Sequence, residues 1–161
     1  MSDKYAINIG RAIINLRSLE FIMRVYLIDM ELKDSDRKTE NLFNLREGDL
    51  VEENALTNYD SLTRVIEKYN DAVSLIDEDL KVDPDIVNLR DGIAHGRIVA
   101  QQPNFPTRLY KFSKPEQGKV KVTHAIEMNE EWLADQVVRT FEELKKVQAA
   151  VELFKDKGKL A

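Results

Sequence analysis

The strongest constraint on the fold is the helical spacing of apolar residues in two long segments of the chain. Side chains three and four positions apart share one face of an α-helix, so a sustained repeat of this kind predicts an amphipathic helix. The last segment follows Asn129, a good helix cap, and repeats apolar residues at this spacing: Leu133, Val137, Phe141, Leu144, Val147 (or Gln148), Val151 and Phe154. The first segment, residues 4–32, has spacings of three to five: Ile9, Ile13, Leu16, Phe21 (or Glu20), Val25 and Leu27 (or Ile28). Each segment predicts one long helix, and Arg11, Arg17 and Arg24 are expected on the other faces of the first.

Two shorter helices are predicted between them. The first has an apolar stripe made of Leu62, Val65, Ile66, Tyr69, Val73 and Ile76. The second is expected to begin at Asp83-Pro84-Asp85, because Asp83 can cap free amides, proline suits the first helical position, and an acidic residue suits the positive helix end. Its buried side is predicted to be Ile86, Leu89, Ile93 and Ala94.

After Gly96 the helical spacing of apolar residues ends and β-prone residues follow, which predicts a small β-hairpin. Several residues that disfavour helix come first: Gln101, Gln102, Pro103, Asn104 and Pro106. Two β-prone runs follow, 107–113 and 119–127, and the Pro-Glu-Gln-Gly segment 115–118 between them is typical of a turn. Residues 33–48 are charged and lack a sustained period, which favours an irregular or partly helical connection.

These elements predict a mainly α fold. It is a four-helix bundle with a small β-hairpin inserted between the third and fourth long helices, in a single domain over residues 1–161. That length is enough to bury a core without disulfides or a structural metal.

Composition narrows the environment and the class of function. The chain has no cysteine, no secretory-type stretch near its start, and no apolar run long enough to cross a bilayer, so we expect a cytoplasmic protein. A net charge of −5 argues against a protein that coats nucleic acid with a basic face. It leaves RNA open as a substrate, because an acidic enzyme can contact a few phosphates locally.

Most familiar kinds of active site are excluded by their missing motifs. Two histidines and no cysteine are too few for a convincing transition-metal site, so no metal is expected. The six glycines are scattered and form neither a phosphate-binding loop nor a dinucleotide fingerprint, so no cofactor is expected.

One segment remains as a candidate for catalytic residues. It lies in the second half of the third helix and reads Asn88-Leu89-Arg90-Asp91-Gly92-Ile93-Ala94-His95-Gly96-Arg97. It resembles the signature of the HEPN domain family, an Arg, a polar residue directly after it, and a His a few residues later on a late helix of a helical bundle. Arg90, Asp91 and His95 match these positions. The resemblance covers nearly the whole chain at the level of the fold.

The resemblance implies a metal-independent ribonuclease. In that reaction the 2′-hydroxyl of the RNA attacks the neighbouring phosphate and leaves a cyclic phosphate and a 5′-hydroxyl. Imidazole titrates near neutrality and suits either proton transfer, whereas an arginine keeps its charge and can grip phosphate with two hydrogen bonds. His95 is therefore expected to do the acid-base work, Arg90 to stabilise the phosphate, and Asp91 to orient or tune His95.

The helix geometry adds an expectation about assembly. Residues five apart lie roughly 140° apart around an ideal helix, so Arg90 and His95 do not share a face. Asp91 and His95 are four apart and could hydrogen-bond. The resemblance implies a homodimer that pairs this helix with its symmetry mate and brings two copies of each side chain into one cleft. It also implies a role as a toxin or phage-defence effector, with an antitoxin of the nucleotidyltransferase type as a further partner.

For several other residues the sequence pattern does not separate a functional role from a structural one. Arg97 and Arg108 are candidates for auxiliary RNA contacts, although a solvated surface role fits them equally well. Tyr110, Phe112 and Trp132 could stack on bases, but core packing is the commoner use of such residues. His124 alternates with valines along a β-prone run and favours a structural role, and Glu20 favours the edge of a helix stripe.

Two alternatives to the nuclease stay open. One is a non-catalytic helical module of the same fold that binds RNA, a nucleotide or a partner protein in the cleft where the nuclease would have its active site. The other is a purely structural dimerising bundle.

Overall fold

The chain is described by a computed structural model that covers residues 3–31, 44–100 and 107–158. Four α-helices are present in these ranges: α1 Asp3–Glu31, α2 Leu62–Val73, α3 Ile86–His95 and α4 Glu130–Gly158. A three-stranded antiparallel sheet lies between α3 and α4 in the chain. The predicted fold class, four helices with a small β insertion before the last, is confirmed.

Side-chain caps define two of the helix starts. The Oδ1 atom of Asn129 accepts a hydrogen bond from the Trp132 amide at 2.8 Å, which confirms the predicted start of α4. The Ser61 hydroxyl accepts from the Arg64 amide at the start of α2. For α3 the predicted start is early: Asp83 caps the Asp85 amide within a turn, and the helix begins at Ile86.

The sheet contains the expected hairpin and one further strand. The hairpin is β2 (Arg108–Phe112) and β3 (Val122–Glu127), and its turn places Gln117 and Gly118 at positive φ, as in a type I′ turn. The added strand, β1 (Arg97–Val99), pairs antiparallel with β2 and gives the order β1-β2-β3. Three residues are too few to show an alternating pattern, which is why the sequence does not reveal β1.

Parts of two predicted segments lie outside the described residues. These are residues 33–43 of the charged connection and the helix-breaking stretch 101–106. Residues 44–48 of the connection, and residues 49–60 that lead from it to α2, form turns and extended chain without an α-helix or strand.

Backbone contacts group the chain into two compact units. The first unit comprises Met1–Ser18 and Asp83–Lys145. Its core is centred on Tyr5, Leu109, Met128 and Leu133, so it joins α1, the sheet and α4. The Asn15 amide of α1 donates to Thr140 Oγ1 and to the Val137 carbonyl of α4, and these bonds hold the two helices in register within the unit.

The second unit comprises Leu19–Val82 and Lys146–Ala161. Tyr26 of α1 packs edge-to-face on Tyr69 and Phe154, with ring centroids 5.2 and 5.9 Å away. Arg24, expected on a solvated face, is only 8% exposed. It donates to the main-chain carbonyls of Ala55 and Asp60, so it fastens the irregular connection to α1.

Two aromatic residues assigned to apolar stripes are instead about half exposed. They are Phe21 of α1 and Phe141 of α4. Glu20, beside Phe21, pairs with Arg24 at 3.1 Å, in keeping with its expected place at the edge of the stripe. Among the helices of the described ranges, none has the length and apolarity that a bilayer crossing requires.

Candidate functional site

The end of α3 is positioned against the sheet by two glycines. A Cβ on Gly92 would lie 3.0 Å from Leu109 Cδ2, and a Cβ on Gly96 would overlap the Gly92 carbonyl oxygen and lie 2.5 Å from Leu109 Cδ1. Gly92 is buried, whereas Ala94, predicted on the buried side, is exposed. The glycines of the Arg-Asp-Gly-Ile-Ala-His-Gly segment therefore make room for β2, and this close approach places α3 beside the strand.

An ionic cluster lies where α3 meets β2. Arg90 donates from Nη1 to Asp91 Oδ1 at 2.9 Å, and Lys111 Nζ lies 3.5 Å from Asp91 Oδ2. The three side chains are 30%, 29% and 28% exposed, so solvent reaches each of them. One carboxylate thus holds two cations at the surface, and we call Arg90, Asp91 and Lys111 the cationic cluster.

Lys111 is the member of this cluster that sequence reasoning missed. Alternate residues of a strand point to opposite faces, so Lys111 shares the face of Leu109, which packs on α3. The available signal is its place two residues after the apolar Leu109 in a β-prone run. The α3 partner of that face becomes visible only in the fold, because Lys111 and Asp91 are 20 residues apart in the chain.

His95 occupies the last position of α3 and is exposed. Its main-chain carbonyl accepts a hydrogen bond from Arg97 at 3.3 Å. The hydrogen bond considered between Asp91 and His95 does not occur among the described residues, where Asp91 instead engages Arg90 and Lys111. The imidazole therefore stands at the solvent end of the helix that carries Arg90.

Arg97 and Arg108 lie on the other face of the sheet. Arg108 alternates with Leu109 on β2 and so points away from α3. Arg97 is the register partner of Tyr110, which shares the face of Arg108. Both arginines are exposed, and the structure does not bring them into the cationic cluster.

His124 lies beside Lys111, because the two residues are register partners on β3 and β2. Its side chain is partly buried, in keeping with the structural placement that its pattern favours. Within the described ranges its Nδ1 atom is buried and lacks a hydrogen-bond partner. The second imidazole of the chain thus lies on the sheet face that packs on α3, next to a cation of the cluster.

A separate ion-pair network surrounds the start of α3. Arg139 of α4 donates to Asp83 at 2.8 Å and to Asp85 at 3.1 Å, and the Asn88 amide donates to Asp85 at 2.6 Å. The hydrogen bond from Asn88, followed by that from Arg139, lowers the pKa of Asp85 below its ordinary value. This network joins α3 to α4 at the end opposite His95.

The described residues offer no metal centre, since no three of their His, Asp and Glu side chains are grouped as ligands. What the cationic cluster offers is anion binding. A phosphate oxygen can take the place of the Asp91 carboxylate as the acceptor for Arg90 and Lys111, and the guanidinium group can hold two such oxygens at once.

Comparisons of the chain with protein-family models, with curated proteins and with solved structures find no match.

Proposed function

We propose that the chain is a metal-independent endoribonuclease of the HEPN type. The observation that carries the proposal is the cationic cluster. It places two cations around one carboxylate on the helix that bears the Arg-Asp and His of the family signature. Stabilisation of charge that builds on the phosphoryl oxygens is the largest demand of phosphodiester cleavage without a metal.

Each residue then has a separate task. Arg90 and Lys111 bind the scissile phosphate, with Asp91 holding them in place until the substrate displaces it. His95 takes the proton of the attacking 2′-hydroxyl or gives one to the leaving 5′-oxygen. The P–O2′ bond forms, the P–O5′ bond breaks, and the products are a 2′,3′-cyclic phosphate and a 5′-hydroxyl.

The reaction needs a proton acceptor and a proton donor, and we propose that two chains supply them. A two-fold dimer that pairs α3 with its symmetry mate contributes one His95 from each copy. The dimer acts in the cytoplasm as a toxin or phage-defence effector, and a nucleotidyltransferase-type antitoxin restrains it. Arg97 and Arg108 add RNA contacts outside the cleavage site.

The experiment is an RNA digestion in the presence of EDTA. The native protein, His95→Ala and Arg90→Ala are compared with Arg64→Ala, which removes an exposed arginine from α2. We expect cleavage and a cyclic phosphate product from the native protein and Arg64→Ala, and loss of at least 100-fold in the other two, in line with the contribution of a general acid or base. Equal cleavage by all four proteins, or cleavage by none, would refute an active nuclease.

A second candidate function is a non-catalytic module that binds RNA at the same cationic cluster. It is favoured by the engagement of Asp91 with Arg90 and Lys111, which leaves His95 without the expected carboxylate partner. This function predicts RNA binding without turnover, and binding that His95→Ala leaves unchanged.

A further inference from the structure

The sheet face that points away from α3 carries an aligned set of aromatic and cationic side chains. Arg108, Tyr110 and Phe112 alternate along β2 on this face, and the register of β1 places Arg97 beside Tyr110. We call these four residues the aromatic face. None of them belongs to the cationic cluster, which lies on the opposite side of the sheet.

The two rings are arranged as neighbours on one surface. Tyr110 and Phe112 are stacked with their centroids 6.4 Å apart and their planes 24° apart. Phe112 is 44% exposed, and Tyr110 is partly exposed. Arg108 lies two residues before Tyr110 on the same face of β2, which places its side chain beside the rings. An exposed aromatic pair in a strand is unusual, because such rings normally go to the core.

The segment that contains the sheet has a net charge opposite in sign to that of the whole protein. Residues 97–127 contain six lysines and arginines and two glutamates, a net charge of +4, in a chain whose net charge is −5. The positive charge is thus concentrated in the sheet and its hairpin. A local excess of this kind attracts a polyanion to one part of an otherwise acidic protein.

We propose that the aromatic face binds single-stranded RNA, with two bases stacked on Tyr110 and Phe112 and with phosphates held by Arg97 and Arg108. The inference rests on the proposed function for its choice of RNA as the polyanion. Bases of a single strand expose the π faces that such stacking needs, whereas bases in a duplex have theirs covered. One RNA strand would then contact the protein at two places. The aromatic face would bind one part of the strand, and the cationic cluster would cleave another part.

The test is fluorescence anisotropy with a labelled ten-nucleotide oligouridylate, measured in a His95→Ala background so that the probe stays intact. Loss of one base-aromatic stack corresponds to about a 5- to 150-fold weaker affinity, so we expect that loss in Phe112→Ala. Phe112→Tyr keeps a ring and should bind as the parent does. Tyr59→Ala is the matched control, because it removes a fully exposed aromatic residue from the other unit.

The arginines are tested by the salt dependence of binding. Each phosphate contact to a single strand contributes about 0.7 to the slope of log affinity against log salt, so Arg97→Gln and Arg108→Gln should each lower it by about that amount. Thermal melts followed by circular dichroism check that each variant is folded.

The outcomes separate this inference from the nuclease. Binding that Phe112→Ala weakens, in a protein whose native form cleaves no RNA, refutes the nuclease and supports the aromatic face. Equal RNA affinity of Phe112→Ala and its parent overturns the proposal that the aromatic face binds RNA, even where the native protein cleaves RNA. Absence of RNA binding, together with an oligomeric state that changes in Phe112→Ala, also overturns it and identifies the face as a protein interface.

Discussion

Lys111 of β2 lies 3.5 Å from the carboxylate of Asp91 on α3, the same carboxylate that holds Arg90 at 2.9 Å. This relationship brings a residue from outside the family-like segment into the candidate site. The carboxylate offsets one of the two positive charges, so the cluster keeps a net charge of +1 for an incoming phosphate.

Replacing Lys111 tests whether the cluster acts on RNA. A hydrogen bond to a charged group contributes about 1.5–3 kcal/mol, so Lys111→Met should lower kcat/KM for RNA cleavage by about 10- to 150-fold. The methionine keeps most of the apolar stem, which protects the packing of β2 on α3. Initial rates with a fluorogenic RNA measure the effect, and Lys119→Met, in the exposed hairpin turn, is the control. Similar rates for both variants would remove Lys111 from the site.

Contacts between residues that are distant in the chain are the part of this site that the sequence does not predict. Periodicity predicts all four helices, because amphipathic spacing is a local property of the chain. The cap at Asn129 and the turn at 115–118 are local as well, and the structure has both. The pairing of Lys111 with Asp91 depends instead on how β2 docks on α3, which no local pattern encodes.

The buried arginine of α1 illustrates the same limit. Arg24 interrupts an apolar stretch and by its type belongs at the surface. It is buried because the connection that ends near Asp60 presents carbonyl oxygens that need a donor. The close contact of Gly92 and Gly96 with Leu109 likewise becomes apparent only when the strand is in place.

Two alanine substitutions at glycines should shift stability in opposite directions. Gly96→Ala inserts a methyl group against the Gly92 carbonyl and Leu109, so we expect a loss of about 1–3 kcal/mol of unfolding free energy. Gly10→Ala lies within α1 with open space around its Cβ, so we expect a gain of about 0.8–1 kcal/mol from helix propensity. Urea unfolding monitored by circular dichroism gives both values. A Gly96→Ala protein as stable as the native one would contradict the close approach of β2.

Arg24 should be one of the most sensitive polar positions of the chain. Arg24→Met removes the hydrogen bonds that Arg24 donates to Glu20 and to two main-chain carbonyls, so we expect a loss of about 3–5 kcal/mol, the cost of breaking a buried ionic network. Arg64→Met removes an exposed arginine that pairs with Glu67, and it should cost at most about 0.5 kcal/mol. Chemical denaturation of both variants measures the contrast. Equal losses would show that the connection does not depend on Arg24.

Acid should weaken the network at the start of α3. The pKa of Asp85 in the folded chain is lowered from its ordinary value of 3.8, first by the hydrogen bond from Asn88 and then by that from Arg139. A lowered folded pKa means that the carboxylate contributes its full stability above pH 3.8 and loses it as the pH falls through the folded value. The difference in unfolding free energy between the native protein and Asp85→Asn should therefore be largest near neutrality and shrink below pH 3.8.

The control for this pH dependence is Gly10→Ala, whose effect involves no titrating group and should stay constant over the same range. Urea melts at pH 7, pH 4 and pH 3 compare the two variants with the native protein. A gap between the native protein and Asp85→Asn that stays constant or widens on acidification would show that Asp85 binds its proton at least as tightly in the folded chain as in the unfolded chain. In that case Asn88 and Arg139 would not stabilise the charged carboxylate, and the junction of α3 with α4 would depend on apolar packing alone.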